Sequence, residues 1–194
     1  IRMRLVGSEM CIRDSPKGLA KKKIVNNFRN ILCDKFRPGH FDGVTTVVDL
    51  FFNMIKPTNS YFGEKDFQQV KIIQDLVKIN HHNIKIIQCP SVRDKMGMSL
   101  SSRNSKFSND QLKIFNVLAN KIKEHINLLT QNEINNLDQL KIELLQNNIN
   151  KIDYLEIRNE NNLEITKNYS KARLFIALYI CLLYTSDAAD DASS

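Results

Sequence analysis

The chain has 194 residues, of which 42% are hydrophobic and 25% charged. These proportions are typical of a globular protein with one domain or one and a half, and the chain is long enough to bury a sizeable core. No apolar run approaches the roughly 20 residues of a membrane-spanning helix, so we expect no membrane association. The net charge of +7 favours an anionic partner, either nucleic acid or a phosphorylated small molecule.

The cysteines are spread far apart without a CxxC pair, a distribution that indicates neither a zinc site nor a redox pair. We therefore expect reduced thiols and no metal ligated by the protein. The N-terminus lacks the apolar stretch of a secretory signal, which favours a cytoplasmic protein. No arginine-rich stripe interleaved with aromatic residues is present, so we do not expect nucleic acid as a partner.

The two ends differ in composition from the interior. Residues 1–15 contain arginine but no asparagine, and residues 181–194 are rich in small and acidic residues, whereas the interior is rich in Lys, Asn and Ile. Both ends resemble translated adapter sequence, and we expect them to be artefactual segments outside the fold.

The interior begins with an amphipathic stretch, Ala20–Cys33, which predicts a helix or a helix running into a strand. Apolar residues at helical spacing predict a helix from Gly43 to Pro57. The short run Ser60–Phe62 predicts a strand, and a second helical pattern extends from Asp66 to Ile79.

The segment Ile84–Cys89 is short and β-branched, and Pro90 follows it, as is typical of a buried parallel strand. Helix, strand, helix and strand in succession predict a doubly wound α/β sheet. Ligands bind such sheets at the carboxyl ends of the strands, so the candidate loops are Gly63–Asp66 and Ser91–Lys106.

A capping box at Ser108–Gln111 predicts a long helix to about Leu129. A further helix is predicted over Asn136–Gln146, followed by strands over Lys151–Arg158 and Ala172–Ile180. From about Arg93 the pattern therefore indicates a small α+β domain.

The first loop, Gly63-Glu64-Lys65-Asp66, directly precedes a helix. Glycine permits close approach of a ligand, the helix N-terminus offers free N–H groups to an anion, and Lys65 adds a cation. Phosphate suits this arrangement. The alternative is a charged turn in which Asp66 only caps the helix.

The second loop, Leu100-Ser101-Ser102-Arg103-Asn104, follows Gly97. Its hydroxyls and guanidinium suit a polyphosphate and the charge that develops on departing pyrophosphate. The alternative is a solvated turn. No catalytic role is assigned to His40, to the His81-His82 pair at a predicted helix end, or to His125 on a lysine-rich helix.

Three segments occur in one order: RPGHFDGVTTVV (Arg37–Val48), YFGEKDFQQV (Tyr61–Val70) and LSSRNSKFS (Leu100–Ser108). Together they closely resemble the pantothenate synthetase (pantoate beta-alanine ligase) family, and the resemblance extends from about Ile31 to Ile180 with YLEIRN and ARLFIA. It implies a partial Rossmann-like parallel sheet of the class I nucleotidyltransferase type, followed by a small α+β C-terminal domain. We expect the first domain at residues 16–92 and the second at 93–180.

The resemblance implies a ligase that uses ATP and Mg²⁺ to join pantoate to β-alanine through pantoyl adenylate, with an intact enzyme that is a homodimer. It assigns charge stabilisation in catalysis to Lys65 and Arg103, and a pantoate contact to Gln69, whose neighbour Gln68 is expected to share in discriminating the acid. The implied nucleotide contacts are Gly63, Glu64, Lys65, Asp66, Val92, Leu100, Ser101, Ser102 and Arg103.

The chain also departs from the family pattern. Leu100 stands where many relatives carry Met, and Met96-Gly97-Met98-Ser99 replaces a more usual Asp-Gly-Leu-Ala. Nothing before Ile31 resembles the family's HxGH motif, and its C-terminal continuation is absent after Ile180, so we expect a C-terminal portion that is inactive alone. The alternatives are another adenylating nucleotidyltransferase for small acids and a basic nucleic-acid-binding module.

Overall fold

The computed structural model describes residues 21–101, 104, 107–130, 137–147, 149–180 and 183–190. The chain divides into two compact units, Ile1–Cys89 and Pro90–Ser194. The first contains a parallel sheet and the second an antiparallel one, with helices in both. The predicted fold class is therefore confirmed. None of the helices in the described ranges is both long enough and apolar enough to cross a bilayer.

The first unit is built around a β-α-β arrangement. Its elements are α1 (Leu32–Phe36), α2 (His40–Ile55), β1 (Asn59–Gly63), a 3₁₀ turn (Glu64–Asp66), α3 (Phe67–Asn80) and β2 (Lys85–Cys89). The strands pair in parallel, with Asn59 opposite Lys85 and Gly63 opposite Cys89. Both strands therefore end at the same edge of the sheet, and the 3₁₀ turn leaves β1 at that edge.

The helices pack through apolar stripes with helical spacing, as the sequence predicts. In α2 the buried stripe includes Val48 and Phe52, and in α3 it includes Ile72, Ile73 and Leu76. Each fully buried aliphatic side chain contributes about 1.5–3 kcal/mol relative to exposure. This core fixes α3, and with it the loop that precedes α3.

The prediction for Ala20–Cys33 is wrong. The described residues from 21 to 31 form no helix or strand, and only Leu32–Phe36 is helical. Positive φ angles at Phe28 (60°), Asn30 (60°) and Leu32 (46°) are incompatible with a regular helix or strand. Hydrogen bonds from side chains elsewhere in the unit hold this segment instead.

The second unit contains α4 (Asn109–Thr130), α5 (Leu137–Gln146), β3 (Ile149–Asn159), a 3₁₀ turn (Tyr169–Lys171), β4 (Ala172–Ile180) and β5 (Leu183–Asp190). The strand order is β3-β4-β5, with antiparallel pairing throughout. The predicted capping box of α4 is confirmed, because Gln111 N donates to Ser108 Oγ (3.3 Å) and Ser108 N donates to Gln111 Oε1 (2.8 Å).

β4 is the central strand and carries most of the second core. Residues Ala172 through Leu178 are all buried, and Ile176 and Ala177 are 0% exposed. Leu118, Ile122, Leu140 and Leu144 of the two helices belong to the same cluster. The third strand, β5, lies within residues 181–194, the segment that composition predicts to be outside the fold.

Candidate nucleotide-binding site

Gly63 ends β1 in a conformation that any residue can adopt, with φ −71° and ψ 133°. A Cβ atom built on this residue would meet no atom within 4 Å. Neither backbone strain nor packing within the described chain therefore requires glycine here. A bare backbone at the carboxyl end of a parallel strand is what close approach of a ligand requires.

The Glu64–Asp66 turn connects β1 to α3 and is tied to the neighbouring strand. Gln88 of β2 donates from Nε2 to Glu64 Oε2 at 2.9 Å. Lys65 is half-buried and Asp66 is exposed. Asp66 occupies the N-cap position of α3, but its carboxylate makes no capping hydrogen bond. The alternative of a turn in which Asp66 only caps the helix therefore lacks the side-chain hydrogen bond that a capping residue usually makes.

Two adjacent glutamines follow in the first turn of α3. Gln68 is buried and hydrogen-bonded to the backbone of residues 28–33. Gln69 is only partly buried. Gln68 is therefore not available to donate a hydrogen bond to a substrate, because both of its amide hydrogens are already donated to backbone carbonyls.

In the second unit, residues 92–100 form a small antiparallel hairpin. Arg93 and Ser99 are bridge partners, and Leu100 N donates to Val92 O at 2.8 Å. The side chains of Val92 and Leu100 are 68% and 55% exposed. The structure thus brings together these residues, which the family resemblance assigns to the nucleotide.

The hairpin turn explains why the unusual Met-Gly-Met-Ser sequence is tolerated. Asp94 Oδ1 accepts from the backbone N–H of Met96 (2.9 Å) and of Met98 (3.0 Å). Gly97 has φ +87°, a conformation that glycine adopts without strain. Met98 is buried. The turn therefore has a glycine where φ is positive and a buried apolar side chain at Met98, and the hydrogen bonds to Asp94 fix its shape.

Sequence reasoning included Asn104 in the second loop but did not predict its role, which is to organise the start of that loop. Ser101 Oγ donates to Asn104 Oδ1 at 2.9 Å, and Asn104 Nδ2 donates to Ser99 O at 3.1 Å. An asparagine three residues after a serine in a turn-forming stretch is the available sequence signal. Ser102 and Arg103, two of the predicted site residues, lie outside the described residues.

His40 begins α2 directly after the turn at Pro38-Gly39. The pKa of its imidazole is lowered from 6.5 to about 4, mainly by burial and then by the charge of the nearby Arg37, while Asp34 acts in the opposite direction. His40 is consequently neutral at physiological pH. A neutral imidazole offers one donor and one acceptor.

Acidification is expected to destabilise the first unit through His40. Because the pKa in the folded state, about 4, is below the ordinary 6.5, the unfolded chain binds more protons between these pH values. The stability is therefore complete above pH 6.5 and is lost as the pH falls towards 4, by about 1–2 kcal/mol after allowance for solvent screening. Urea unfolding of the wild type and His40→Gln on either side of this window measures the difference; equal losses in both proteins would show that another group titrates.

The other histidines have structural partners. His81 Nε2 lies 2.7 Å from Oδ1 of the buried Asp49, and its ring contacts Phe52 edge-on. This contact fastens the end of α3 to α2. His125 is buried in the second unit, with Nδ1 3.1 Å from Lys121 O.

The fold and the site define a class of protein, an α/β protein with a candidate ligand site at the carboxyl edge of a parallel sheet. The sequence model of the family named Pantoate-beta-alanine ligase matches residues 8–186 of this chain. The chain belongs to that family.

Related proteins agree with this assignment. The chain is 37% identical over 177 residues to a pantothenate synthetase of Caldicellulosiruptor bescii, covering 89% of this chain and 61% of that protein. It is 41% identical over 118 residues to one from Acetivibrio thermocellus, covering 61% of this chain and 42% of that protein. The chain thus spans about half the length of the curated relatives that it matches.

Solved structures show the same fold. The pantothenate synthetase of Thermus thermophilus superposes with a TM-score of 0.78 at 28% identity, covering 89% of this chain and 64% of that one. A pantoate-beta-alanine ligase from Francisella tularensis, solved in complex with beta-gamma ATP and beta-alanine, gives 0.67 at 34% identity, covering 87% of this chain and 57% of that one.

Proposed function

We propose that this chain is the C-terminal portion of a cytoplasmic, homodimeric ligase that condenses pantoate with β-alanine at the expense of ATP. Its nucleotide-binding part would occupy residues 16–92 and its small C-terminal domain residues 93–180. Residues 1–15 and 181–194 would be artefactual. The observation that carries the proposal is the Gly-Glu-Lys-Asp turn at the carboxyl end of β1, in a chain whose family model matches residues 8–186.

The reaction would proceed in two displacements. In the first, a carboxylate oxygen of pantoate attacks the α-phosphorus of ATP, the bond to the β-phosphate breaks, and pyrophosphate leaves. In the second, the amine of β-alanine attacks the acyl carbon of pantoyl adenylate, loses a proton, and expels AMP. The first displacement brings the carboxylate of pantoate close to the negatively charged phosphates of ATP. It therefore needs positive charges that are already in position in the site.

Lys65 and Arg103 would supply that charge. Lys65 lies in the 3₁₀ turn that follows β1, and the N-terminus of α3, directly after that turn, adds the partial positive charge of the helix dipole. Arg103, in the serine-rich loop, would meet the departing pyrophosphate with the hydroxyls of Ser101 and Ser102. Gly63, Glu64 and Asp66 would contact ATP beside Lys65.

The proposed substrate contacts of Val92, Leu100 and Gln69 are supported by the exposure and the hydrogen bonding of these side chains. Val92 and Leu100 offer exposed apolar side chains on adjacent arms of the hairpin, which suits the adenosine part of ATP. Gln69 would bond the oxygens of pantoate. Among the described residues, none forms a hydrogen bond with the Gln69 carboxamide, so that carboxamide is available to a substrate.

Magnesium would accompany the nucleotide. Mg²⁺ usually keeps several waters and binds through substrate phosphates and one or two carboxylates. Glu64 and Asp66 are two carboxylates in the 3₁₀ turn that precedes α3, and in the described ranges no group of three or more His, Cys, Asp or Glu residues could hold a metal ion. This donor set fits an ion carried in with ATP, which would neutralise phosphate charge.

The chain alone would be inactive, because the 194 residues contain no HxGH sequence. In the family this motif holds ATP and supplies a general acid. The test is to extend the reading frame upstream and to express the complete protein.

The expected result is exchange of label from pyrophosphate into ATP that requires pantoate, and formation of pantothenate when β-alanine is added. The 194-residue chain serves as the negative control. Equal exchange with acids that lack the hydroxyls of pantoate would assign a different adenylating enzyme, because a site built to bond hydroxyls rejects such analogues. Saturable, salt-dependent binding of nucleic acid without exchange would contradict the ligase assignment altogether.

A further inference from the structure

The two glutamines at the start of α3 have different environments. Gln68 is 5% exposed, whereas Gln69 is only partly buried. Successive helical residues point about 100° apart around the helix axis. Whatever fixes the direction of Gln68 therefore also fixes the direction of Gln69.

The Gln68 carboxamide forms hydrogen bonds with the backbone of residues 28–33, which lie far from it in the sequence. Its Nε2 donates to Phe28 O (2.9 Å) and to Ile31 O (3.0 Å), and its Oε1 accepts from Cys33 N (3.0 Å). Both donors of the side chain are thereby used. Only a carboxamide can donate twice and accept once at these positions.

The segment that Gln68 holds is conformationally strained. Phe28, Asn30 and Leu32 all have positive φ, which costs about 1–3 kcal/mol at each such residue. A conformation of this kind persists only where several contacts impose it. The hydrogen bonds of Gln68 are thus among the contacts that hold the strained segment in its conformation.

A second contact lies on the same face of α3. Asn27 Nδ2 donates to Asp75 Oδ2 at 2.8 Å, and Asp75 is 8% exposed. Residues 68 and 75 lie about two helical turns apart and so share a face. The helix is therefore fixed in rotation at two points along the strained segment.

We propose that Gln68 is a positioning residue of the ligase: by clamping residues 28–33 it sets the rotation of the first turn of α3 and hence the direction of Gln69. The inference rests on the proposed function, because it takes Gln69 as the pantoate contact. A glutamine that only stabilised the fold would change the amount of folded enzyme without changing how the remaining enzyme recognises pantoate.

The clamp is tested in this chain by amide hydrogen exchange. In Gln68→Glu at neutral pH, a carboxylate faces the carbonyls of Phe28 and Ile31, so protection of residues 28–33 should fall at least about tenfold. Lower pH should restore part of this protection relative to the wild type, because a protonated carboxyl can donate one hydrogen bond. Gln68→Met should lose protection without any such recovery, and Gln69→Glu is the matched control.

Positioning is tested in an intact relative, at the glutamine that matches Gln68. The Glu variant should raise the KM for pantoate about tenfold and change the KM for ATP less than about threefold, with the pantoate defect shrinking as the pH is lowered. A fall in kcat alone, at unchanged KM for both substrates, would overturn the positioning role. Unchanged exchange of residues 28–33 in Gln68→Met would overturn the clamp. The exchange result does not depend on activity, so a failure of the proposed function would be seen separately.

Discussion

Replacing the lysine that matches Lys65 in an intact relative with methionine is expected to lower adenylate formation by about 10²–10³-fold, whereas ATP affinity falls less than about tenfold. Lys65 lies in the short turn between the carboxyl end of β1 and the N-terminus of α3. The negative charge near this lysine increases as pyrophosphate departs. Replacing the lysine therefore removes more stabilisation from the transition state than from the ground state. Pantoate-dependent pyrophosphate exchange and ATP binding, measured separately, give the two quantities.

A lysine at the other end of the same helix provides the control. Lys78 is exposed and pairs with Asp75 three residues before it, so a methionine at the matching position should leave exchange within about twofold. Equal losses of ATP affinity and of exchange in the Lys65 variant would show that this lysine only binds the ground state. The transition-state role would then be wrong.

The fold was largely predictable because the buried apolar residues recur along the sequence at the regular spacing of a helix or a strand. The apolar stripes of α2 and α3 have helical spacing, and the short β-branched segment before Pro90 is a parallel strand paired with β1. Residues 21–31 were not predictable in this way. Their conformation depends on Gln68 and Asp75, which lie 40 and 48 residues from their partners Phe28 and Asn27, and not on a local pattern.

The positions of the two candidate loops relative to the strands and helices were predictable, but the contacts that support those loops were not. The Gly63–Asp66 turn lies at the strand end, as the order of the elements indicates. That Gln68 faces inward and Gln69 does not is decided by packing against residues 28–33. Asn104 and Asp94 shape the second loop through bonds to backbone groups, which sequence spacing alone does not identify.

The second unit depends on β4, so Ile176→Ala is expected to destabilise it by about 2–5 kcal/mol. Ile176 is 0% exposed and belongs to the cluster formed by the sheet and its helices. Loss of its side chain removes apolar burial and leaves a cavity among the packed side chains of this cluster. Urea unfolding followed by circular dichroism, with amide exchange in β3 and β4, measures the change.

A matched isoleucine in the same unit separates burial from side-chain identity. Ile165 is 71% exposed, so Ile165→Ala should change stability by less than about 0.5 kcal/mol. Ile176→Val should fall between the two, at about 0.5–1.5 kcal/mol. Because whole domains are stable by only about 5–15 kcal/mol, the alanine variant at 176 removes a large share of the total. Similar effects at both isoleucines would mean that β4 is not the centre of this core.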